Sequence, residues 1–191
     1  MRGVLSMFFS IVILLGACES GNLTAVKAET LIKESGRYPQ EEFVEFEYGI
    51  VAYRYDSLPP EYYKIQHQKG VTIQALGKTG MFTSSYVFNV ELTDVGRGFL
   101  RKEDPKPRRQ GDRGFLYKGR FVSCVQRFGE VLSIHEKPGI NEANVNHTVL
   151  RGDFSPFWTI ANKEAWNKNG QDTIVRKRVV FYRTNNGWML K

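Results

Sequence analysis

The first eighteen residues constrain the fold of this chain more than any other part of the sequence. Arg2 supplies a positive charge, an apolar run follows over residues 4–15, and the small residues Gly16 and Ala17 lead to Cys18. A charged start, a short apolar segment and small residues before a cleavage point are typical of a secretory signal peptide. The run is shorter than the roughly 20 apolar residues of a membrane-spanning helix. We therefore expect residues 1–17 to be removed on export.

The motif Leu15-Gly16-Ala17-Cys18 resembles the lipobox of bacterial lipoproteins. This resemblance is confined to the signal region. It implies that a diacylglycerol is attached to Cys18, that the chain is cut just before it, and that the new amino terminus is acylated. Two or three acyl chains anchor a protein firmly, because each buried methylene contributes about 0.8 kcal/mol. The alternative is an ordinary signal peptide followed by a coincidental cysteine.

The residue after the cysteine bears on location. In lipoproteins an Asp at this place favours retention in the inner membrane, and Glu19 is a weaker form of that signal. The resemblance thus implies a cell envelope protein, anchored on the periplasmic face of the outer membrane rather than in the inner membrane. The covalent lipid on Cys18 is the only cofactor that we expect.

Lipidation of Cys18 would leave Cys124 without a partner, since the chain has two cysteines. The fold must then be stable without a disulfide framework. Cys124 lies in a strand-like run, and we predict a buried structural thiol because free cysteines are among the most buried residues. A thiol nucleophile paired with His135 or His147 is the alternative. With His67, the three histidines lack the close spacing of zinc ligands, so we expect neither catalysis nor a metal.

The pattern of apolar residues and of turn residues predicts an α+β fold. The first half reads as an acylated tether with a short helix (18–41, helical over 23–34), then a helix-plus-hairpin region over 42–100. Within that region we predict a strand over 42–55, a helix from Pro59-Pro60 to Gly70, and a hairpin with strands over 71–76 and 81–92.

The second half reads as an antiparallel β-rich region over 115–191, after a linker or loop over 101–114 that is rich in Pro, Gly and charge. Predicted strands cover 115–127 and 130–137 on either side of Phe128-Gly129, then 144–154 and 173–183, and Asn185-Asn186-Gly187 forms a tight hairpin turn. Whether 42–100 and 115–191 form one domain or two stays open.

Two segments resemble known folds. Residues 58–98, which end in Leu92-Thr93-Asp94-Val95-Gly96-Arg97, resemble the wing of winged-helix domains. Residues 115–191, which end with Gly187-Trp188 in a hairpin, resemble cystatin-like and NTF2-like folds. The first resemblance implies DNA binding, but an exported lipoprotein does not meet cytoplasmic DNA, so we expect no nucleic-acid partner. The second implies a pocket in the sheet.

Residues 97–120 concentrate the positive charge of the chain. Nine basic residues stand there against Glu103, Asp104 and Asp112, while the whole chain has a net charge of +7. A local positive patch attracts lipid headgroups, anionic polymers or an acidic protein face. The alternative is a solvated loop. The basic residues are Arg97, Arg101, Lys102, Lys106, Arg108, Arg109, Arg113, Lys118 and Arg120.

Aromatic side chains offer a second candidate surface. Trp158 and Trp166 lie in a predicted loop beside Asn, Lys and Pro, where they could bind a partner, although most aromatic residues fill cores. Taken together, the sequence predicts a non-catalytic envelope lipoprotein that binds a protein or an anionic envelope component, as an accessory subunit or an immunity or exclusion protein does. The alternative is a small-ligand carrier or an enzyme with a cystatin-like or NTF2-like pocket.

Overall fold

The computed structural model describes residues 21–78, 85–137, 139–161 and 173–191. Cys18, the rest of the lipobox and Trp166 lie outside the described residues. The described part combines helices and an antiparallel sheet, as predicted, with the sheet dominant. Its elements are α1 (Ala25–Glu34), β1 (Gln40–Tyr53), α2 (Pro60–His67), β2 (Val71–Lys78), β3 (Tyr86–Leu92), α3 (Asp94–Phe99), β4 (Leu100–Glu103), β5 (Arg108–Arg109), β6 (Phe115–Lys137), β7 (Glu142–Gly152), α4 (Trp158–Ala161), β8 (Ile174–Thr184) and β9 (Gly187–Leu190).

All nine described strands belong to one sheet. Its order is β2-β3-β1-β6-β7-β8-β9, with β4 and β5 also paired to β6. The first half of β6 pairs with β1 along one edge, and with β4 and β5 along the other. Its second half pairs with β7. The regions 42–100 and 115–191 therefore share a sheet, and the segment 101–114, expected as a linker or loop, contributes short strands to that sheet.

Strand β6 differs from the prediction of two strands that flank Phe128-Gly129. It runs without interruption for 23 residues. The pairing with β7 shifts its register between Phe128 and Val131, which marks a β-bulge rather than a turn. A side chain at Gly129 would place its Cβ 2.3 Å from Thr148 Oγ1. Because Gly129 has no side chain, β7 can approach β6 closely at this position. The sequence pattern had instead predicted that a strand ends there.

Local signals explain the helices. Thr24 accepts a hydrogen bond from the backbone N–H of Lys27 at the start of α1, and Pro60 opens α2. Both are favourable at a helix N-terminus. Thr93 caps α3 by accepting from the N–H of Gly96 at 3.1 Å. The segment that resembles the end of a wing thus forms a short capped helix.

The core consists of two clusters on one face of the sheet. The first cluster joins α2 and α4 to β1, β2, β3 and β6 around Phe46 and Phe121. The second joins α1 to β7, β8 and β9 around Val145 and Phe181. Side chains alternate between the two faces of a strand. In β1, Phe46 therefore lies on the same face as Glu42, and in β7, Val145 lies on the same face as Arg151.

Glu42 and Arg151 bind each other directly across β6, at 2.9 Å. Both clusters consequently lie on the same side of the sheet. We call that side, which α1, α2 and α4 cover, the covered face, and the opposite side the open face.

Candidate functional site

A group of polar side chains separates the two clusters on the covered face. We call it the polar seam, and its members are Glu42, Cys124, Gln126, Arg151 and Lys177. The Glu42 carboxylate accepts hydrogen bonds from Arg151 Nε and Nη2, both at 2.9 Å, and from Gln126 Nε2 at 2.7 Å. The Gln126 side-chain oxygen accepts from Lys177 Nζ at 2.6 Å. The seam is therefore a satisfied polar network rather than an empty pocket.

Cys124 is fully buried in this seam, as predicted. Its Sγ lies 3.4 Å from Glu42 Oε2. Burial, reinforced by the negative charge of Glu42, raises the pKa of the thiol to about 11. The thiol is thus protonated near neutral pH, whereas a nucleophile needs the thiolate.

The buried histidine has a tyrosine as its hydrogen-bond partner, whereas the partner of that thiol is Glu42. His147 is buried, and its Nε2 lies 3.0 Å from the Tyr38 hydroxyl oxygen. Burial lowers the pKa of His147, and the positive charge of Lys177 adds to this effect. His67 and His135 are exposed. No cluster of three or more potential metal ligands occurs among the described residues.

The open face carries a groove of about 690 Å³ on β6, β7 and β8. Arg178 Nε donates to Asn146 Oδ1 at 3.2 Å, and Asn146 Nδ2 donates to Ser133 Oγ at 2.9 Å. Arg176 and Arg178 are both exposed. None of the described lining residues is acidic; they are Leu132, Ser133, Asn146, Arg176, Lys177 and Arg178.

Sequence reasoning missed this groove, although a signal was present. Arg176, Lys177 and Arg178 are consecutive in a predicted strand, and alternation sends the first and third to one face and the second to the other. The side-chain contacts show this division, since Lys177 donates to Gln126 in the polar seam while Arg178 donates to Asn146 in the groove, which Lys177 also borders. What the sequence could not show was that Ser133 and Asn146 lie beside them.

The predicted basic stretch is exposed at every one of its nine positions but does not form a uniform patch. Strand β1 is rich in glutamate and pairs with the first half of β6, so acidic side chains lie against basic ones. Arg101 forms a two-pronged ion pair with Glu41, at 2.7 and 3.0 Å, and Lys118 lies 2.6 Å from Glu45. Within the stretch, Arg109 pairs with Asp112 at 3.4 Å.

Other members of the stretch have neutral partners. The Arg120 guanidinium lies 4.1 Å from the centre of the Phe43 ring, and Arg113 donates to the backbone oxygens of Leu76 and Lys78. A cleft of about 420 Å³ beside Lys102 has mixed charge, with Glu45, Glu103 and Asp104 facing Lys102, Lys118 and Arg120. Within the described part of the chain, Arg97, Lys102, Lys106 and Arg108 have no carboxylate within ion-pair distance.

The prediction that Trp158 binds a partner does not fit its position. Trp158 is only 4% exposed. It packs on Phe154, with ring centres 4.7 Å apart, and the Arg151 guanidinium lies 5.3 Å from its ring. It fills the core next to the polar seam, because α4 folds back over β1 and β6.

No protein-family model, curated protein or solved structure matches this chain. Among the described residues, no helix is both long and apolar enough to span a membrane.

Proposed function

We propose that this protein is a lipid-anchored, non-catalytic binding protein of the bacterial envelope. Lipid on Cys18 holds it on the periplasmic face of the outer membrane, and its open face binds an anionic partner, either a protein or an envelope polymer. The observation that supports this function is the groove on β6, β7 and β8, where Arg176 and Arg178 are exposed beside Ser133 and Asn146.

The chemistry of the groove suits an anion. A guanidinium donates two parallel hydrogen bonds to a carboxylate or phosphate, and such charge-assisted bonds are stronger than neutral ones. Arg178 is held by Asn146, which Ser133 holds in turn, so part of the binding geometry exists before any ligand arrives. The exposed apolar side chains of Leu132, Leu150 and Ile174 lie on nearby strands and would add contact area for a partner.

The alternative function, a carrier or enzyme with a pocket in the sheet, places its ligand between the helix and the sheet. That space on the second half of the sheet is filled. Ala28 and Ile32 of α1 are fully buried against Val145 and Phe181. The filled covered face favours the binding function.

The anchor can be tested by metabolic labelling with an acyl analogue in the native host. We expect the wild type to be labelled and to sediment with the membranes, whereas Cys18→Ser should be unlabelled because the thioether cannot form. Equal labelling of both proteins would contradict the lipid anchor.

The groove can be tested with a photoreactive residue at Leu132, irradiated in intact envelopes. We expect a discrete cross-linked adduct that disappears when Arg176 and Arg178 are both changed to Gln. The matched control changes Lys118 and Arg120 to Gln, which removes the same charge beside Glu45 and should leave the adduct intact. An adduct that is equally strong in both double variants would contradict binding at the groove.

A further inference from the structure

The described part of the chain begins at Gly21, three residues after Cys18, and its first residues contact the sheet. The backbone oxygen of Gly21 accepts a hydrogen bond from Trp188 Nε1 at 3.1 Å. The backbone N–H of Leu23 donates to Glu136 Oε1 at 2.7 Å. Leu23 is 4% exposed and belongs to the second hydrophobic cluster. These contacts fix the chain to the sheet from Gly21 onward.

The contacts of Gly21 and Leu23 all lie at one end of the sheet. Glu136 is next to the last residue of β6, and Trp188 is the second residue of β9. The pairs Lys137–Glu142 and Thr184–Gly187 close the β6–β7 and β8–β9 hairpins at this same end. We call it the anchor end and define it by the hairpin residues Gly139, Ile140, Asn141, Asn185 and Asn186.

Covalent geometry limits how far the anchor end can lie from the lipid. The three residues from Cys18 to Gly21 span at most about 11 Å when fully extended. An acylated cysteine holds its chains in the bilayer, so Gly21 stays within that distance of the headgroup layer. The hairpins beside Gly21 must then lie close to the same layer.

We propose that the anchor end rests on the phospholipid surface and that the opposite end of β6 points away from it. This inference rests on the lipidation of Cys18 in the proposed function. Ile140 is 58% exposed at the tip of the β6–β7 hairpin, where an apolar side chain gains by entering the headgroup layer. Its neighbours Asn141, Asn185 and Asn186 provide polar groups for contact with headgroups.

The distal end carries the basic stretch. From Glu136 back to Phe115, which pairs with Arg109, strand β6 extends for up to about 70 Å at roughly 3.3 Å a residue. Arg108 and Arg109 therefore lie at the far end of β6 from the lipid. In this orientation Arg108 and Arg109 point away from the anchoring leaflet, toward molecules deeper in the periplasm.

The two cysteines make this orientation easy to measure. Cys18 is consumed by lipid and Cys124 is buried, so one introduced cysteine can be labelled selectively. The lipidated protein, purified from its host, would be reconstituted into phosphatidylethanolamine–phosphatidylglycerol vesicles containing brominated lipid. We expect a fluorophore at Ile140→Cys to be quenched by bromine, and one at Arg108→Cys, which is also an exposed position, to be quenched only by aqueous iodide.

A longer tether provides the control. Eight Gly and Ser residues inserted between Ser20 and Gly21 should abolish the bromine quenching at residue 140 while flotation and acyl labelling persist. The contrary result is equal iodide quenching at residues 140 and 108 in a protein with the wild-type tether that floats and carries the acyl label. That result would contradict the orientation but not the lipid anchor. Loss of acyl labelling and flotation in the wild type would overturn both proposals.

Discussion

The basic stretch in the first half of the sheet and the groove in the second half differ in the partners of their cations. In the first half, glutamates of β1 lie beside the cations of β4 and β6, as in the pairs of Glu41 with Arg101 and Glu45 with Lys118. In the second half, Arg176 and Arg178 face Ser133 and Asn146. Three cations of the basic stretch, Arg101, Arg109 and Lys118, are therefore ion-paired, whereas the described lining of the groove includes no carboxylate. In a sheet, the strand across the ladder decides how much of a charge is available to a ligand.

The two clusters under the sheet also differ in composition. The first is aromatic, with Phe121 stacked on Phe157 at 4.1 Å between ring centres. The second is built mainly from small and aliphatic residues around Val145 and Phe181. Strand β6 crosses both clusters, and we expect it to make them unfold together.

The largest effect is expected from truncation of either cluster. Phe121→Ala and Phe181→Ala should each lower the free energy of unfolding by about 4 kcal/mol, because both side chains are fully buried. Two single-tryptophan variants are needed, both carrying Trp166→Phe. Trp158 reports on the first half when Trp188 is also changed to Phe, and Trp188 reports on the second half when Trp158 is changed to Phe. Urea unfolding followed by each tryptophan should show coincident transitions. Separate midpoints would show that the halves are independent domains.

A somewhat smaller effect is expected where the halves meet. Arg151→Met should cost about 3 kcal/mol, since it leaves the largely buried Glu42 carboxylate without its cation. The double variant Glu42→Gln/Arg151→Met should recover most of this loss, because Gln and Met need no counter-charge. Urea titration of the three proteins measures the difference, and a double variant as unstable as Arg151→Met would contradict this explanation.

The two halves also differ in what a side chain would meet at their closely packed glycines. A Cβ at Gly96 would lie 2.0 Å from the backbone oxygen of Gly70, and one at Gly129 would lie 2.3 Å from Thr148 Oγ1. Backbone moves less readily than a hydroxyl, so Gly96→Ala should cost about 2 kcal/mol and Gly129→Ala about 1 kcal/mol. Gly98→Ala, with open space around it, is the control and should be near neutral. Thermal unfolding of the three variants tests this order.

The smallest effect concerns pH and belongs to the second half. The lowered pKa of His147 means that the unfolded chain takes up its proton first as pH falls. Above the ordinary histidine pKa of about 6.5, protonation of this residue does not change the free energy of unfolding. As pH drops from there toward the folded pKa, it lowers that free energy. Stability of the wild type should fall more steeply than that of His147→Gln between about pH 7.5 and 5. Parallel pH profiles in urea titrations would contradict the prediction.

Local features of the fold could be predicted from the sequence, and long-range ones could not. Helical spacing of apolar residues before Gly36 indicated α1, Pro59-Pro60 indicated α2, and Asn185-Asn186-Gly187 indicated the last hairpin. These signals act within a few residues. The pairing of Glu42 with Arg151 joins positions 109 residues apart, and no spacing rule reports it. For the same reason the sequence did not reveal the groove, the ion pairs of the basic stretch with β1, or the burial of Trp158.

The length of β6 has a mechanical consequence. A pull between Gly21 at one end of this strand and Arg108 at the other would act along the strand direction. Antiparallel hydrogen bonds run perpendicular to the strands, so such a load shears the β1–β6 and β6–β7 ladders instead of opening them one bond at a time. Many bonds must then break together. The ladders of β6 are thus arranged to resist tension applied along the strand direction.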